Sequence, residues 1–164
     1  MPEVFANTTP LQYLHRLGRL DWLRDFYGRV VVPAAVAAEM DAGRKIGAGV
    51  PDVRVIPWIE VRAMPEPDEV FPGFIHRGEA GVIALARLSG DALILMDDGL
   101  ARVHARGLGL RVTGTLGVIL RAKREGLIPA VEPLLGQLQD EGFRVAPATL
   151  AEVLRLAGEW TAPA

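Results

Sequence analysis

The stretch of sequence that decides the fold is ALILMDDGLARVHARGLGLRVT, residues 92–113. Its first five residues, 92–96, form a continuously apolar run, which is typical of a strand that is covered on both faces. We predict a helix over about 100–107 and a second strand over 110–113. A strand, a helix and a strand in succession indicate parallel strands with helices packed on the sheet.

The same alternation extends in both directions along the chain. Strands are predicted over 3–6, over the β-branched run 30–32, and over 54–61, where Pro57 indicates an edge strand because proline cannot donate to a ladder. Helices are predicted from a Thr9 N-cap onward and over about 20–27, 33–43, 79–88, 115–125, 130–141 and 148–158, with a loop around 65–73. The pattern predicts a three-layer α/β/α sandwich around a parallel sheet of four or five strands. The helices over about 130–158 are expected to cap a single domain that spans 1–164.

The composition limits the possible chemistry. With 164 residues, half of them hydrophobic, the chain is long enough to form a packed core. It has no cysteine, which excludes thiolate metal sites, and its three histidines are scattered. A metal ion would therefore be held by oxygen atoms, which favours Mg²⁺ or Mn²⁺. The net charge of −2 gives no general attraction to nucleic acid, so a contact with RNA would need local patches.

The sequence also gives an expectation for localisation. No apolar run approaches the roughly 18 to 20 residues that span a bilayer. The first ten residues, MPEVFANTTP, lack the charged and then apolar pattern of a signal peptide. We therefore expect a cytoplasmic protein with no membrane contact.

Polar residues cluster where a site is expected in such a sheet. Sites in open α/β sheets form outside the carboxyl ends of the strands. Asn7 ends the first predicted strand, and Asp97 and Asp98 end the strand ALILM. Glu39 lies about two turns into the helix after VVV, and Glu79 opens the helix that leads into ALILM. One amide and four carboxyl groups are thus expected near one edge, where they could bind a hard divalent cation.

Each of these residues also has a purely structural explanation. Glu79 is placed to interact with the helix dipole, and Asp97–Asp98 could simply form a turn. Asn7 could belong only to a turn and helix cap. Apolar neighbours at helical spacing place Glu39 on a buried face, where a carboxylate needs a partner or a metal. The alternative is that Glu39 is exposed on the helix.

Three further residues are candidate substrate contacts: Thr8, Arg102 and Thr115. Arg102 either faces the site and contacts a phosphate, or balances Asp98 four residues earlier. Thr115 is also placed to cap the helix TLGVIL. The sequence leaves these alternatives open.

Several segments resemble PIN-domain proteins of an uncharacterised branch that is similar to VapC-type toxins. They cover nearly the whole chain in order, except for 44–76. They are ANTTPLQYL (6–14), VVVPAAVAAEM (30–40), RGEAGVIALA (77–86), LILMDDGLARVHARGLGLRVTGTLGVILRAKREGLI (93–128) and LLGQLQDEGFRVAPATLAEVLRLAGE (134–159). The most specific of them is 93–128.

The resemblance implies a PIN-like fold and a metal-dependent ribonuclease, the toxin of a type II toxin–antitoxin pair. The four acidic positions of the family fall on Asn7, Glu39, Glu79 and the Asp97–Asp98 pair, because a one-residue slip aligns either aspartate. PIN nucleases usually carry Asp at the first position, so the neutral Asn7 should weaken the metal site. The resemblance further implies an RNA substrate, a small antitoxin protein as partner, and a homodimer.

The carboxylates and the metal lead to two physical expectations. Grouped carboxylates repel one another, so without metal at least one of them should bind a proton more readily than a free carboxylate. Because Asn7 removes one negative charge, we expect metal binding only in the millimolar range.

Other functions fit the sequence less well. A non-catalytic PIN-like protein that binds a partner is the first alternative, and Asn7 motivates it. A phosphate-accepting receiver domain would need its acidic pair at the first strand, and here the pair follows the fourth. A dinucleotide-binding domain would need a glycine-rich motif after the first strand, which is absent.

Overall fold

A computed structural model describes residues 1–64 and 70–162. Its strands form one parallel five-stranded sheet. They are β1 (Glu3–Ala6), β2 (Val30–Pro33), β3 (Ile59–Arg62), β4 (Ala92–Leu95) and β5 (Arg111–Thr113). The helices of the described residues are α1 (Thr8–Arg16), α2 (Asp21–Tyr27), α3 (Ala34–Lys45), α4 (Arg77–Leu88), α5 (Gly99–Gly107), α6 (Thr115–Arg124), α7 (Glu132–Asp140) and α8 (Pro147–Leu156).

The strand order, β3-β2-β1-β4-β5, places a switch point in the middle of the sheet. From β1 the chain moves outward to β2 and β3, then returns through α4 to β4 on the other side of β1. The last residues of β1 and β4, Ala6 and Leu95, are register partners. Two of the polar ends predicted from the sequence therefore lie side by side, at the type of crevice where open α/β folds bind ligands.

The central strands form the core because they are apolar on both faces. All four residues of β2 are buried, and in β1 only the first residue, Glu3, is exposed. Helix α4 contacts β1, β2, β4 and α3, and most of its residues are buried. The predicted parallel sheet between helices is confirmed, and it has five strands. Strand β3 lies at an edge, as Pro57 indicated, although it begins only at Ile59.

Several predicted boundaries were wrong by one to three residues. Helix α1 begins at Thr8 with Asn7 at the N-cap, so Thr9 is not the cap. Helix α3 continues through Gly43 to Lys45, because a glycine inside a helix weakens it but does not end it. Gly28 does end α2, with a φ of 74° that L-residues rarely adopt.

The chain packs as two compact units, Met1–Thr115 and Leu116–Ala164. The first contains the whole sheet and every candidate site residue. In the second, the Glu159 carboxylate accepts hydrogen bonds from the amides of Val131 (2.8 Å) and Glu132 (3.2 Å) at the start of α7, and it pairs with Lys123 at 2.8 Å. Burial raises the pKa of Glu159, but these partners outweigh it, so the net shift is downward. The expected capping of a single domain by the last helices stays a prediction.

Two further expectations concern the irregular region and membranes. Residues 70–76 have no helix or strand, as predicted, whereas 65–69 of the predicted loop lie outside the described residues. In the part of the chain that the structure describes, no helix has both the length and the apolar character that crossing a bilayer requires.

Candidate active site

The carboxyl ends of β1 and β4 hold the candidate site. The Asn7 amide donates to the Leu95 carbonyl at 3.0 Å, which continues the β1–β4 ladder up to the site residue itself. Asp97 follows β4 after a single residue, Met96, whose amide is held by the Thr113 carbonyl of β5. Backbone pairing thus fixes the positions of both residues.

One group of polar side chains surrounds Gly78 in the first turn of α4; we call Asn7, Thr8, Glu39 and Gly78 the Gly78 cluster. A Cβ atom on Gly78 would lie 3.1 Å from Glu39 Oε2 and 3.4 Å from Asn7 Oδ1. The Thr8 hydroxyl donates to Glu39 Oε2 at 2.9 Å. Two oxygens from different elements therefore approach the same point, and glycine leaves room for them.

The environment of Glu39 differs from the expected buried face. Glu39 is exposed, although Val36 on the preceding turn is fully buried. The residue lies at the margin of the helix's apolar stripe, so the carboxylate reaches both water and the Gly78 cluster. Asn7 is 7% exposed, and its side chain forms no cap hydrogen bond. The proposal that Asn7 serves only as a helix cap is therefore not supported.

Glu79 lies beside this cluster and is nearly enclosed, with 5% exposure. Its Oε2 accepts a hydrogen bond from the His76 amide at 3.0 Å, so it supports the start of α4. Burial raises the pKa of Glu79, and the negative charges of Asp98 and Glu39 raise it further, against the lowering effect of the His76 hydrogen bond. Glu79 thus stabilises the start of α4 and is also repelled electrostatically by two other candidate carboxylates.

A second group surrounds Gly114; we call Asp97, Arg102, Gly114 and Thr115 the Gly114 cluster. Asp97 Oδ1 accepts from the Thr115 amide at 2.8 Å, and Asp97 Oδ2 accepts from the Thr115 hydroxyl at 2.6 Å. A Cβ atom on Gly114 would lie 2.5 Å from both Asp97 Oδ1 and Arg102 Nη1. Burial raises the pKa of Asp97 more than the two Thr115 hydrogen bonds and the charge of Arg102 lower it.

The structure also places the remaining predicted residues. Thr115 is fully buried and its polar atoms hold Asp97, so it acts on the site through that carboxylate and does not face solvent. Arg102 donates to the Met96 carbonyl at 2.9 Å and interacts electrostatically with Asp97, where the sequence suggested Asp98. Asp98 is exposed and caps α5, accepting from the Ala101 amide at 2.9 Å.

Comparison with known protein families identifies the family of this chain. Residues 3–159 match a family described as PIN domain. The chain belongs to the PIN-domain family. Since PIN domains are in general nucleases, it is a member of a nuclease-type enzyme family. A comparison with functionally curated proteins gives no match.

PIN domains typically use a divalent metal, and the donor chemistry of this chain fits a hard cation. All candidate ligands are oxygen atoms, and two of them approach one point at Gly78. Among residues 1–64 and 70–162, however, no three acidic or histidine side chains are close enough to hold one ion. The candidate carboxylates lie near one end of the sheet, as expected, without forming a group of three among the described residues. Mg²⁺ is commonly bound through only one or two carboxylates plus water, which this arrangement allows.

The expectation of a raised carboxyl pKa is confirmed in direction for Glu79 and Asp97. The main cause differs from the one expected, which was mutual repulsion. Burial is the largest contribution at both residues, and neighbouring carboxylates contribute only at Glu79. The site is therefore shaped at least as much by desolvation as by crowding of like charges.

Sequence reasoning missed the two glycines at the centres of the clusters. Neither has the positive φ that usually explains a glycine. A Cβ at Gly114 would clash with Asp97 Oδ1 and Arg102 Nη1 at 2.5 Å, whereas a Cβ at Gly78 would be in tight contact with Glu39 Oε2 at 3.1 Å. The only available signal was their position, one residue before Glu79 and one residue before Thr115.

Proposed function

We propose that this PIN domain is a metal-dependent endoribonuclease that uses Mg²⁺ or Mn²⁺ to hydrolyse RNA phosphodiester bonds. The observation that carries the proposal is that Asn7 Oδ1 and Glu39 Oε2, from different elements, both lie beside Gly78, 3.4 Å and 3.1 Å from its Cβ position. Glu79 and the Asp97–Asp98 pair lie at the same carboxyl end of the sheet. The set consists of hard oxygen donors, which suit a divalent cation.

The residues that would hold the ion are Asn7, Glu39, Glu79 and one of the two aspartates. A divalent cation supplies Lewis acidity, lowers the pKa of bound water and stabilises charge on the phosphate when it is bound. Asp98 is the aspartate whose charge acts on Glu79, which favours it as the ligand nearest that residue. Asp97 has two hydrogen bonds from Thr115, and its remaining lone pairs can still accept.

Thr8 and Arg102 are the proposed substrate contacts. Arg102 commits Nη1 to the Met96 carbonyl, and a guanidinium has five N–H donors, so others stay available for a phosphate. Its position beside Asp97 would place a positive charge next to the acidic site. Thr8 holds Glu39 and lies at the rim of the Gly78 cluster.

A thermal-shift titration with Mn²⁺ tests the metal site directly. We expect wild type to respond only at millimolar Mn²⁺, Asn7→Asp to respond at lower concentrations because it restores a negative charge, and the double variant Asp97→Asn/Asp98→Asn to respond least. An equal response from all three proteins would place the metal elsewhere. Structured RNAs incubated with and without Mg²⁺, beside a Glu39→Gln control, test cleavage.

A second candidate function is that of a non-catalytic PIN protein that binds a partner. Two observations favour it, the neutral Asn7 at the usual aspartate position and the spacing of the carboxylates. In that case Asn7→Asp would gain metal affinity without gaining cleavage. Cleavage by wild type that rises in Asn7→Asp would support the nuclease instead.

The toxin role remains a proposal supported by the resemblance to VapC-type proteins. It includes a small antitoxin that covers the acidic site and a homodimer of the chain. Purification from the native host tests both at once. The complex should contain a second small protein, and its mass should correspond to two copies of the chain. Recovery of the chain alone at every growth phase would count against the antitoxin.

A further inference from the structure

Three rings, two from the segment before α4 and one from α5, meet and have no part in the function proposed so far. Phe71 and Phe74 precede α4, and both contact the imidazole of His104 on α5 in edge-to-face geometry. The ring centroids are 6.1 Å apart for Phe71 and 6.3 Å apart for Phe74. We call Phe71, Phe74 and His104 the aromatic wall. Such pairs are mutually stabilising, so the rings are held in place before any ligand arrives.

The aromatic wall is exposed where a core cluster would not be. Phe74 is 44% exposed, and Val103, the residue before His104, is 67% exposed. The wall therefore presents flat apolar surface to solvent.

The wall lies close to the candidate catalytic residues. Phe74 is two residues before His76, whose amide holds Glu79. His104 is on the same helix that Asp98 caps, six residues further on, or about 9 Å along the helix axis at about 1.5 Å per residue. That distance is within the span of a few nucleotides of a strand bound at the acidic site.

Because the chain is negatively charged, RNA affinity must come from contacts that do not depend on general attraction, such as base stacking. The chain carries a net charge of −2 and its site is acidic, so general electrostatic attraction cannot supply RNA affinity. Stacking on aromatic faces supplies affinity that needs no basic surface, and every base has a face to stack. Exposed Arg77 follows the wall at the start of α4 and can meet the adjoining phosphate.

We propose that the aromatic wall stacks an unpaired base of the RNA substrate next to the scissile phosphate. This inference rests on the proposed ribonuclease function and adds a base-binding contact to it.

Binding of short fluorescent RNAs in EDTA, where the RNA stays intact, tests the wall separately from cleavage. The probes are an oligouridylate and an oligonucleotide of equal length with abasic ribose in place of each nucleotide. Wild type should bind the base-bearing probe more tightly. Phe74→Leu should weaken that binding about 5- to 20-fold, the lower part of the range for loss of one stacking ring, and leave abasic binding unchanged. Phe74→Trp keeps a ring and should restore the preference.

Trp58→Leu is the matched control. Trp58 is a partly exposed aromatic residue just before β3, at the opposite end of the strands from the site. The Trp58→Leu variant should bind both probes as wild type does. Melting temperatures should show that all variants fold. Equal affinity of wild type for both probes, no binding of either, or an unchanged preference in Phe74→Leu would overturn the proposal.

Cleavage assays on the same variants separate this inference from the function itself. Metal-dependent cleavage by wild type with base-independent binding would reject the wall and retain the ribonuclease. Base-selective binding with no cleavage under any metal would retain the wall and reject the ribonuclease. If both hold, Phe74→Leu should raise KM and leave kcat close to wild type.

Discussion

The Gly78 cluster contains the residues after β1 and the Gly114 cluster contains residues after β4 and β5, so they lie on the two sides of the sheet's switch point. The carboxylates of the two clusters differ in exposure and in hydrogen bonding. In the Gly114 cluster, Asp97 is half-buried and has two hydrogen bonds from Thr115 and the charge of Arg102 nearby. In the Gly78 cluster, Glu39 is exposed and has one hydrogen bond from Thr8.

The difference in exposure indicates a positioning role for Asp97 and a binding role for Glu39. The enclosed oxygens of a half-buried carboxylate must be satisfied by the protein itself, because an unpaired charge away from water is costly. An exposed carboxylate keeps its remaining lone pairs for whatever arrives from solvent. The Gly78 cluster is therefore the better place for an external cation, and the Gly114 cluster is the better place for fixing the end of β4.

The largest expected effect tests this contrast with one chemical change made in both clusters. Thr115→Val keeps the shape of this fully buried side chain and removes the hydroxyl that holds half-buried Asp97. We expect a loss of about 1 to 3 kcal/mol in the free energy of unfolding, because an enclosed carboxylate oxygen is left short of a donor. Urea denaturation at pH 7 measures it.

Thr8→Val is the matched control for that experiment. It also removes a hydroxyl from a carboxylate, but water can replace the donor at exposed Glu39. The loss should stay below about 1 kcal/mol. Equal losses in the two variants would mean that the clusters do not differ in the way described.

A second pair of variants compares the space at the two glycines. Gly114→Ala would place a methyl group 2.5 Å from Asp97 Oδ1 and 3.1 Å from the Met96 carbonyl, which is backbone and cannot easily move. We expect about 1 to 3 kcal/mol of destabilisation from this overpacking. Thermal unfolding should show a drop of about 2 to 4 °C for each kcal/mol in a chain of this size.

Gly78→Ala should behave differently. Its methyl group would meet Glu39 Oε2 and Val36 Cγ2 at 3.1 Å, and both are side-chain atoms. The better helix propensity of alanine, up to about 1 kcal/mol, offsets much of that contact. Stability should change by less than about 0.5 kcal/mol, while the response to Mn²⁺ weakens because Glu39 is displaced. A large loss of stability with an unchanged Mn²⁺ response would contradict the binding role of this cluster.

The smallest effect is a pH dependence at Glu79, which lies beside the Gly78 cluster. Its pKa in the folded protein is raised above 4.5. The stability linked to its proton is therefore fully present below about pH 4.5 and is lost as pH rises through the folded value. Glu79→Gln cannot ionise and can still accept from the His76 amide. It should match wild type near pH 4 and be the more stable of the two at pH 7.

Melting temperatures from pH 4 to pH 7 check this prediction. Glu132→Gln is the control, since Glu132 also lies in the first turn of a helix but is exposed. Its difference from wild type should not grow with pH. If Glu79→Gln shows no gain at pH 7 either, burial does not raise the pKa of Glu79 as described.

Much of the fold was predictable because its signals are local. The run 92–96 is apolar at every position, and such a strand must be covered on both faces. The edge position of β3 followed from the missing amide proton of Pro57. Helix ends were less certain, as Gly43 shows, because a weak helix former inside a well-packed helix is tolerated.

The candidate site was likewise predictable only in part. The sequence by itself determined which residues lie at the carboxyl ends of β1 and β4, because the direction of the chain fixes which residues follow each strand. Only the tertiary structure decided which of them meet. Asp97 pairs with Thr115 and Glu39 with Thr8, across 18 and 31 residues of chain. Sequence spacing carries no information about such contacts, because they depend on how α3, α4 and β5 pack and on the Cβ-sized gaps that two glycines leave.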